Sequence, residues 1–215
     1  MSDLPLLFSP KSMHSDWLLA WEFSIPDQSL RDEMLDNPRI NTQIIENIAN
    51  TNNLPSLKAE YLNNDVQLIC NMISENVDQF ADTCGLALMG NALRRLITSH
   101  DLSSYIEAFD LQILQTAMQA QIDYPRYSAL NFETEHLNDV VRKAGYRTIV
   151  GWSWSIEQSI GGRVRMLLPA NFSTLSEMTE TIEPAIAAKT VQTIASLSKV
   201  NHTTSTSGTN AVNHH

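Results

Sequence analysis

The chain has 215 residues and a mass of 24.1 kDa, and 43% of its residues are hydrophobic while only 18% are charged. Its formal net charge of −10 argues against a nucleic-acid-binding protein, which needs a basic surface, and against docking on anionic lipid by charge alone. Seven glycines are too few for a loop-rich all-β domain, so the composition favours a compact, mainly helical protein.

The N-terminal segment is predicted to be an extended arm over residues 1–12, because prolines interrupt it. It carries neither a basic region nor a long apolar run, so we expect no signal peptide and no direct membrane insertion. Three short helices are predicted next. The first begins near Ser15, the second is capped by Asp27 and ends before Pro38, and the third covers about 40–49.

A long helix is predicted over about 57–84, because apolar residues recur on one face at helical spacing: Leu62, Val66, Ile69, Ile73, Val77, Phe80 and Cys84. Gly85 is expected to interrupt it, and a further helix follows from Leu86. Helical spacing continues through 102–122 and 137–160, where Gly161 and Gly162 are expected to end the helix.

The C-terminal third contains the single segment that is predicted to form a strand. Apolar residues alternate with Arg163 and Arg165, and Pro169 closes the segment. A capping box at 174–177 is expected to open a last helix, which Pro184 would kink or split, and residues 201–215 are predicted to be a disordered polar tail. The expected fold is mainly α, a single compact multi-helix domain over 1–200 with at most one or two short strands near 163–168.

A search for reactive groups finds no catalytic, cofactor-binding or metal-binding residues. The run from Gly85 to Gly90 has the glycine spacing of a phosphate-binding loop, but Asn91 replaces the lysine that such loops need. The segment Gly151–Ser155 lacks the second glycine of a nucleophile elbow, and the single Glu-x-x-His at 133–136 has no second copy. The two cysteines are interpreted as core thiols of a protein in a reducing cytosol.

The charge is uneven along the chain, with a net of −9 over residues 1–93 and a balance over 94–173. The acidic half is interpreted either as a solubilising surface or as a surface selected for a basic partner. Arg94 and Arg95 also allow two interpretations. They form either a solvated helix face or a site that pairs with carboxylates.

Three blocks in the sequence are similar to one protein family. The first contains Phe8, Pro10, His14 and Trp17. The second is the run Gly85-Leu86-x-Leu88-x-Gly90-x-Ala-Leu-Arg94-Arg95. The third contains Gly145, Trp152, Trp154 and the segment from Arg163 to Pro169. In this order the blocks resemble the SctK (YscK-type) proteins of bacterial type III secretion systems, the central run being the most specific.

The resemblance implies a largely helical, non-enzymatic adaptor without cofactors. Proteins of this family belong to the cytoplasmic sorting platform at the inner membrane. There they link the cytoplasmic domain of the SctD-type ring protein to the SctQ-type pod protein, and hence indirectly to the SctL-type stator and the SctN-type ATPase. The motif residues would then serve packing or partner contact. Gly85 and Gly90 would allow helices to approach closely, and the two arginines would orient acidic groups.

Two other classes of protein remain open from the residues. The first is a helical small-molecule binder or an enzyme of unknown substrate, which would need a concave site with converging polar groups. The second is a secretion chaperone or regulator, although such chaperones are usually smaller α/β dimers.

Overall fold

The computed structural model describes residues 8–23, 25, 27–90, 93–94, 109–122, 124–128, 137–173 and 182–207. These residues confirm a mainly α fold, and none of them forms a strand. The helices, in chain order, are α1 Ser15–Phe23, α2 Gln28–Asp36, α3 Pro38–Thr51, α4 Asn64–Glu75, α5 Val77–Leu88, α6 Leu111–Gln119, α7 Pro125–Ser128, α8 Leu137–Ser153, α9 Gln158–Arg165, α10 Ala170–Ser173 and α11 Pro184–Ser207. Short 3-10 turns lie at Pro10–Ser12 and Ala59–Tyr61.

The predicted long helix 57–84 is wrong in its bounds, because Asn76 divides it into α4 and α5. The backbone N–H of Asn76 donates to the Met72 carbonyl at the end of α4. The side-chain oxygen of Asn76 accepts from Gln79 N at 3.0 Å at the start of α5. One residue therefore caps both helices. Gly85, expected to be a break, lies inside α5 instead.

The centre of the fold is α5, in which every residue from Phe80 to Leu88 is buried. It packs most extensively against α8, and α4, α6 and α11 cover its other sides. Burial on all sides explains why the second half of α5 is almost uniformly apolar or small instead of striped.

The predicted strand at 163–168 is wrong, and the glycines at 161 and 162 do not end a helix. Residues 158–165 form α9, and Met166 to Leu168 form the turn that follows. The alternation of arginine with apolar residues does not mark two faces of a strand, because both arginines are buried together with their neighbours. Gly161 is needed for close packing, since a Cβ there would lie 2.0 Å from the Ser153 carbonyl oxygen.

Both ends of the domain differ from the sequence-based prediction. Within the predicted extended arm, Phe8 is buried and Pro10–Ser12 form a 3-10 turn, while 1–7 lie outside the described residues. Pro184 does not kink a helix but begins α11, a position where its missing N–H costs nothing. The helix continues to Ser207, into the segment predicted to be disordered from 201. The capping box at 174–177 and residues 208–215 lie outside the described residues.

None of the described helices combines the length and the apolar character needed to cross a membrane.

Candidate functional site

The first and third sequence blocks, about 150 residues apart in the chain, meet in the structure. They are joined by three hydrogen bonds: His14 N to the Met166 carbonyl at 3.0 Å, Trp17 Nε1 to the Leu168 carbonyl at 2.9 Å, and Ala170 N to Asp16 Oδ2 at 2.8 Å. The turn after α9 is therefore tied to α1 through its otherwise unpaired carbonyl groups.

The other residues of these two blocks serve mainly in packing. Phe8, Pro10 and Trp152 are buried in the core, while Pro169 is half-buried next to the junction. His14 is half-buried, and its Nδ1 lies 3.2 Å from Asp16 Oδ2. The buried members of these blocks therefore contribute to packing, whereas His14, Trp17, Trp154 and Pro169 keep part of their surface exposed.

The central block forms the contact between α5 and α8. Leu86 and Leu88 are buried, and Gly85 lies against the backbone of Val141. A Cβ atom on Gly85 would be 2.0 Å from the Val141 carbonyl oxygen, which agrees with the expected close approach. Gly90 differs, because a Cβ there would meet its nearest atom at 3.7 Å, an ordinary contact.

A polar cluster lies beside this helix crossing. Arg142 of α8 binds Asp82 of α5 with two hydrogen bonds, Nε–Oδ1 at 3.0 Å and Nη2–Oδ2 at 2.7 Å. One turn away, the Tyr146 hydroxyl donates to Asp78 Oδ1 at 2.5 Å. The hydrogen bond with Asp82 raises the pKa of Arg142, and burial together with the bond to Asp78 raises the pKa of Tyr146. The cluster holds two helices in register, since pairs four residues apart on each helix face one another.

Of the paired arginines of the central block, Arg94 lies among the residues that the structure describes. Arg94 is exposed and makes no ion pair with any residue that the structure describes. Arg95 lies outside the described residues. Among the described residues Arg94 therefore orients no acidic group across the packing, and its alternative role at a partner face stays a prediction.

The arginines of α9 occupy two different environments. Arg163 is 1% exposed and donates to Glu46 Oε1 at 2.7 Å, to the Ser159 carbonyl at 2.7 Å and to the Pro55 carbonyl at 2.9 Å. It therefore ties α9 to α3 and to the segment after it. This explains the arginine in the third sequence block as a packing residue.

Arg165 stacks on an aromatic ring instead of binding an acid. Its guanidinium carbon lies 3.8 Å from the centre of the Trp154 ring, and its Nη1 donates to Ser153 Oγ at 3.1 Å. Burial lowers the pKa of Arg165 to about 10, so the side chain stays charged at neutral pH. The sequence could not show this pair. Trp154 directly follows α8 and Arg165 ends α9, and the two side chains meet because of the turn between these helices.

An acidic helix lies on the surface of the N-terminal half. No residue of α2 is buried, and it carries Asp32, Glu33 and Asp36 together with Leu30, which is 47% exposed. It packs mainly against α3. A helix with so little burial presents its charges and one leucine to the surroundings.

A groove of about 460 Å³ opens between α4, α5, α6 and α11. Its apolar residues are Leu68, Met72, Phe80, Ile113 and Ile194, and its polar residues include Asn71, Asn76, Gln79 and Gln112, with Glu75 and Lys199 also lining it. The sequence search missed the groove because its lining comes from four separate helices.

The described part of the chain offers little for metal or redox chemistry. Within it, no three residues of the types His, Cys, Asp and Glu lie close enough together to hold a metal ion. Cys70 and Cys84 are buried free thiols, and burial raises the pKa of Cys70 to about 12 and also raises that of Cys84. Both therefore remain protonated and unreactive at neutral pH.

No family model, curated protein or solved structure matches the chain. The likeness to the SctK family accordingly rests on the three sequence blocks.

Proposed function

We propose that the protein is a non-enzymatic adaptor of the sorting platform of a bacterial type III secretion system. It would link the cytoplasmic domain of a SctD-type ring protein to a SctQ-type pod protein, and through it indirectly to the SctL-type stator and SctN-type ATPase. It would act in the cytoplasm, at the inner face of the inner membrane. The resemblance of the three blocks supplies the names of these partners.

The observation that carries the proposal is the joining of the two outer blocks. His14 and Trp17 bind carbonyl groups of the segment 166–168, so distant parts of the motif form one rigid unit. An adaptor needs rigid surfaces for its partners, because surfaces built on packed helices hold their geometry better than loops. The central block adds to this rigidity through the close contact of Gly85 with α8.

The acidic helix α2 supplies a surface for one of the partners. Its acids are exposed, and the net charge of −9 over residues 1–93 extends the negative field around it. A basic surface on the ring protein or the pod protein would be attracted to it, which mainly raises the rate of association. Leu30 provides an apolar contact in the middle of the charged helix.

Co-purification tests the proposal directly. The full chain is co-expressed with a tagged SctQ-type pod protein and, separately, with the tagged cytoplasmic domain of a SctD-type ring protein from the same source. We expect the chain to co-elute with at least one of them in size-exclusion chromatography. If the folded chain elutes alone in both cases, the adaptor proposal is wrong.

A pair of matched variants tests the role of α2. Asp32→Asn/Glu33→Gln removes two charges from the helix, and Glu60→Gln/Glu183→Gln removes two exposed charges elsewhere. We expect the first pair to weaken partner binding, with the largest effect at low salt, and the second pair to have a smaller effect. Equal effects of the two pairs would assign the attraction to net charge and not to α2.

The groove favours a second candidate function, the binding of a small molecule. Its volume lies within the range of ligand sites, and apolar residues with several amides are a common lining. Native mass spectrometry of the gently purified chain tests this candidate. A bound small molecule that Thr83→Trp displaces from the groove would support it, and the bare chain mass alone would count against it.

A further inference from the structure

Arg165 is a buried cation that binds no carboxylate among the described residues. The residue is 7% exposed, and the one hydrogen bond that its side chain makes to the described part of the chain goes from Nη1 to Ser153 Oγ. Its flat guanidinium group is covered on one face by Trp154. A charge withdrawn from water without an opposite charge lowers the stability of the fold, so its presence requires a reason.

Arg163, two residues earlier in the same helix, shows how this fold stabilises a buried arginine. It has a carboxylate, Glu46, and two backbone carbonyls as acceptors. Arg165 has a hydroxyl group and an aromatic ring in their place. The packing of α9 therefore pairs the first arginine with a carboxylate and leaves the second without one among the described residues.

The guanidinium group of Arg165 lies next to the molecular surface. Trp154, whose ring stacks on it, is 39% exposed. The Nε and Nη2 groups of Arg165 donate to no described residue. The pair therefore places an arginine with spare donors beside an exposed indole ring.

We propose that Arg165 and Trp154 form a binding site for a carboxylate side chain of an acidic segment of a protein partner. The guanidinium fork matches the two oxygens of a carboxylate, and stacking on the indole fixes the plane of the fork before binding. Arginine and tryptophan are also the residue types that contribute most to protein–protein binding energy. The site does not depend on which protein the partner is, so it goes beyond the adaptor proposal.

NMR spectroscopy of the isotope-labelled full chain tests the site. The Trp154 Nε1–H and Arg165 Nε–H resonances are followed during titration with a capped hexaglutamate peptide, a capped hexaglutamine peptide and sodium phosphate. We expect saturable shifts of both resonances with hexaglutamate alone. The net charge of −10 disfavours unspecific attraction of an acidic peptide, so a saturable shift confined to this site reports local binding.

Three results would overturn the proposal. They are the absence of a shift with hexaglutamate, an equal shift with hexaglutamine, and an equal shift with phosphate, which would indicate a general anion site. Phosphate thus separates a free anion from the carboxylate of a peptide.

Two variants separate binding from folding. In Arg165→Met, observed at Trp154, hexaglutamate should bind about tenfold more weakly or not at all, because a hydrogen-bonded charge pair is lost. In Trp154→Ala, observed at Arg165, binding should weaken less. We expect Arg165→Met to melt close to the wild-type temperature and well above Arg163→Met. A melting temperature as low as that of Arg163→Met would make Arg165 a structural residue and overturn the proposal, and unchanged hexaglutamate binding in both variants would do the same.

Discussion

Gly85 of α5 and Gly145 of α8 lie at one helix crossing where neither position has room for a Cβ atom. A Cβ on Gly85 would be 2.0 Å from the Val141 carbonyl oxygen, and a Cβ on Gly145 would be 1.8 Å from the Ala81 carbonyl oxygen. The obstacles are backbone atoms, which cannot rotate away as a side chain can. The backbones of the two central helices are therefore in direct contact.

Alanine at either glycine should destabilise the protein. An added methyl group must push α5 and α8 apart, and we expect Gly85→Ala and Gly145→Ala each to lower the free energy of unfolding by about 3 kcal/mol or more. Gly90→Ala is the matched control, since its Cβ has an ordinary contact distance of 3.7 Å. Chemical denaturation measures all three variants, and a loss in Gly90→Ala as large as in the other two would contradict this account.

The buried pair of Arg163 and Glu46 should contribute to stability in a way that Arg165 does not. Arg163→Met removes a donor from the Pro55 and Ser159 carbonyls and the cation from Glu46, so we expect a loss of roughly 3 kcal/mol. Glu46 is one-third exposed and can turn toward water, which keeps the loss from being larger.

Arg165→Met is the matched control for this prediction. It removes a charge that binds no carboxylate in the described residues, so the loss should not exceed about 1 kcal/mol, the strength of the contact with Trp154. Urea denaturation of both variants gives the comparison. Equal losses would show that the two arginines have the same structural role.

The sequence was sufficient to predict the helical class and the short helices of the N-terminal half. It was misleading where an arginine is buried. The alternating pattern of 163–168 is typical of a strand only if polar side chains face water, and Arg163 instead finds Glu46, which is 117 residues away in the chain. The glycines gave a second wrong prediction. Gly85 and Gly161 were expected to break helices, but both lie inside helices and allow another backbone to pack closely.

The candidate interaction site was less predictable than the fold. The stacking of Arg165 on Trp154 and the groove between four helices both depend on how helices pack, which local patterns do not contain. The double role of Asn76 was visible in principle, because asparagine is a preferred N-cap residue. The uninterrupted apolar stripe on both sides of it favoured one long helix instead.

Trp17→Phe should loosen the junction between the first and third sequence blocks. The substitution keeps an aromatic ring but removes the hydrogen bond from Nε1 to the carbonyl of the buried Leu168, and we expect a loss of about 1–2 kcal/mol. Amide hydrogen exchange should accelerate in 166–173 more than in α5. Trp152→Phe, which alters a fully buried ring away from this hydrogen bond, is the comparison. If exchange in 166–173 accelerates as much in Trp152→Phe as in Trp17→Phe, Trp17 has no specific role at the junction.

The buried thiols predict a loss of stability at alkaline pH. The pKa of Cys70 is raised by burial to about 12 and that of Cys84 is also raised, whereas thiols of an unfolded chain titrate near about 8.5. A raised pKa in the folded state means that the stabilisation is complete below the unfolded pKa and is lost as pH rises toward the folded one. Each thiol should therefore lower the free energy of unfolding by up to about 1.4 kcal/mol per pH unit above about pH 9.

The double variant Cys70→Ala/Cys84→Ala isolates this effect from the titration of other groups. It should be less stable at neutral pH because it leaves two small cavities, but its stability should decline less steeply with rising pH. Urea denaturation at a series of pH values between about 8 and 10 measures both slopes. The same slope in the variant and the wild type would mean that the native thiols titrate like exposed ones, and that Cys70 and Cys84 are open to solvent.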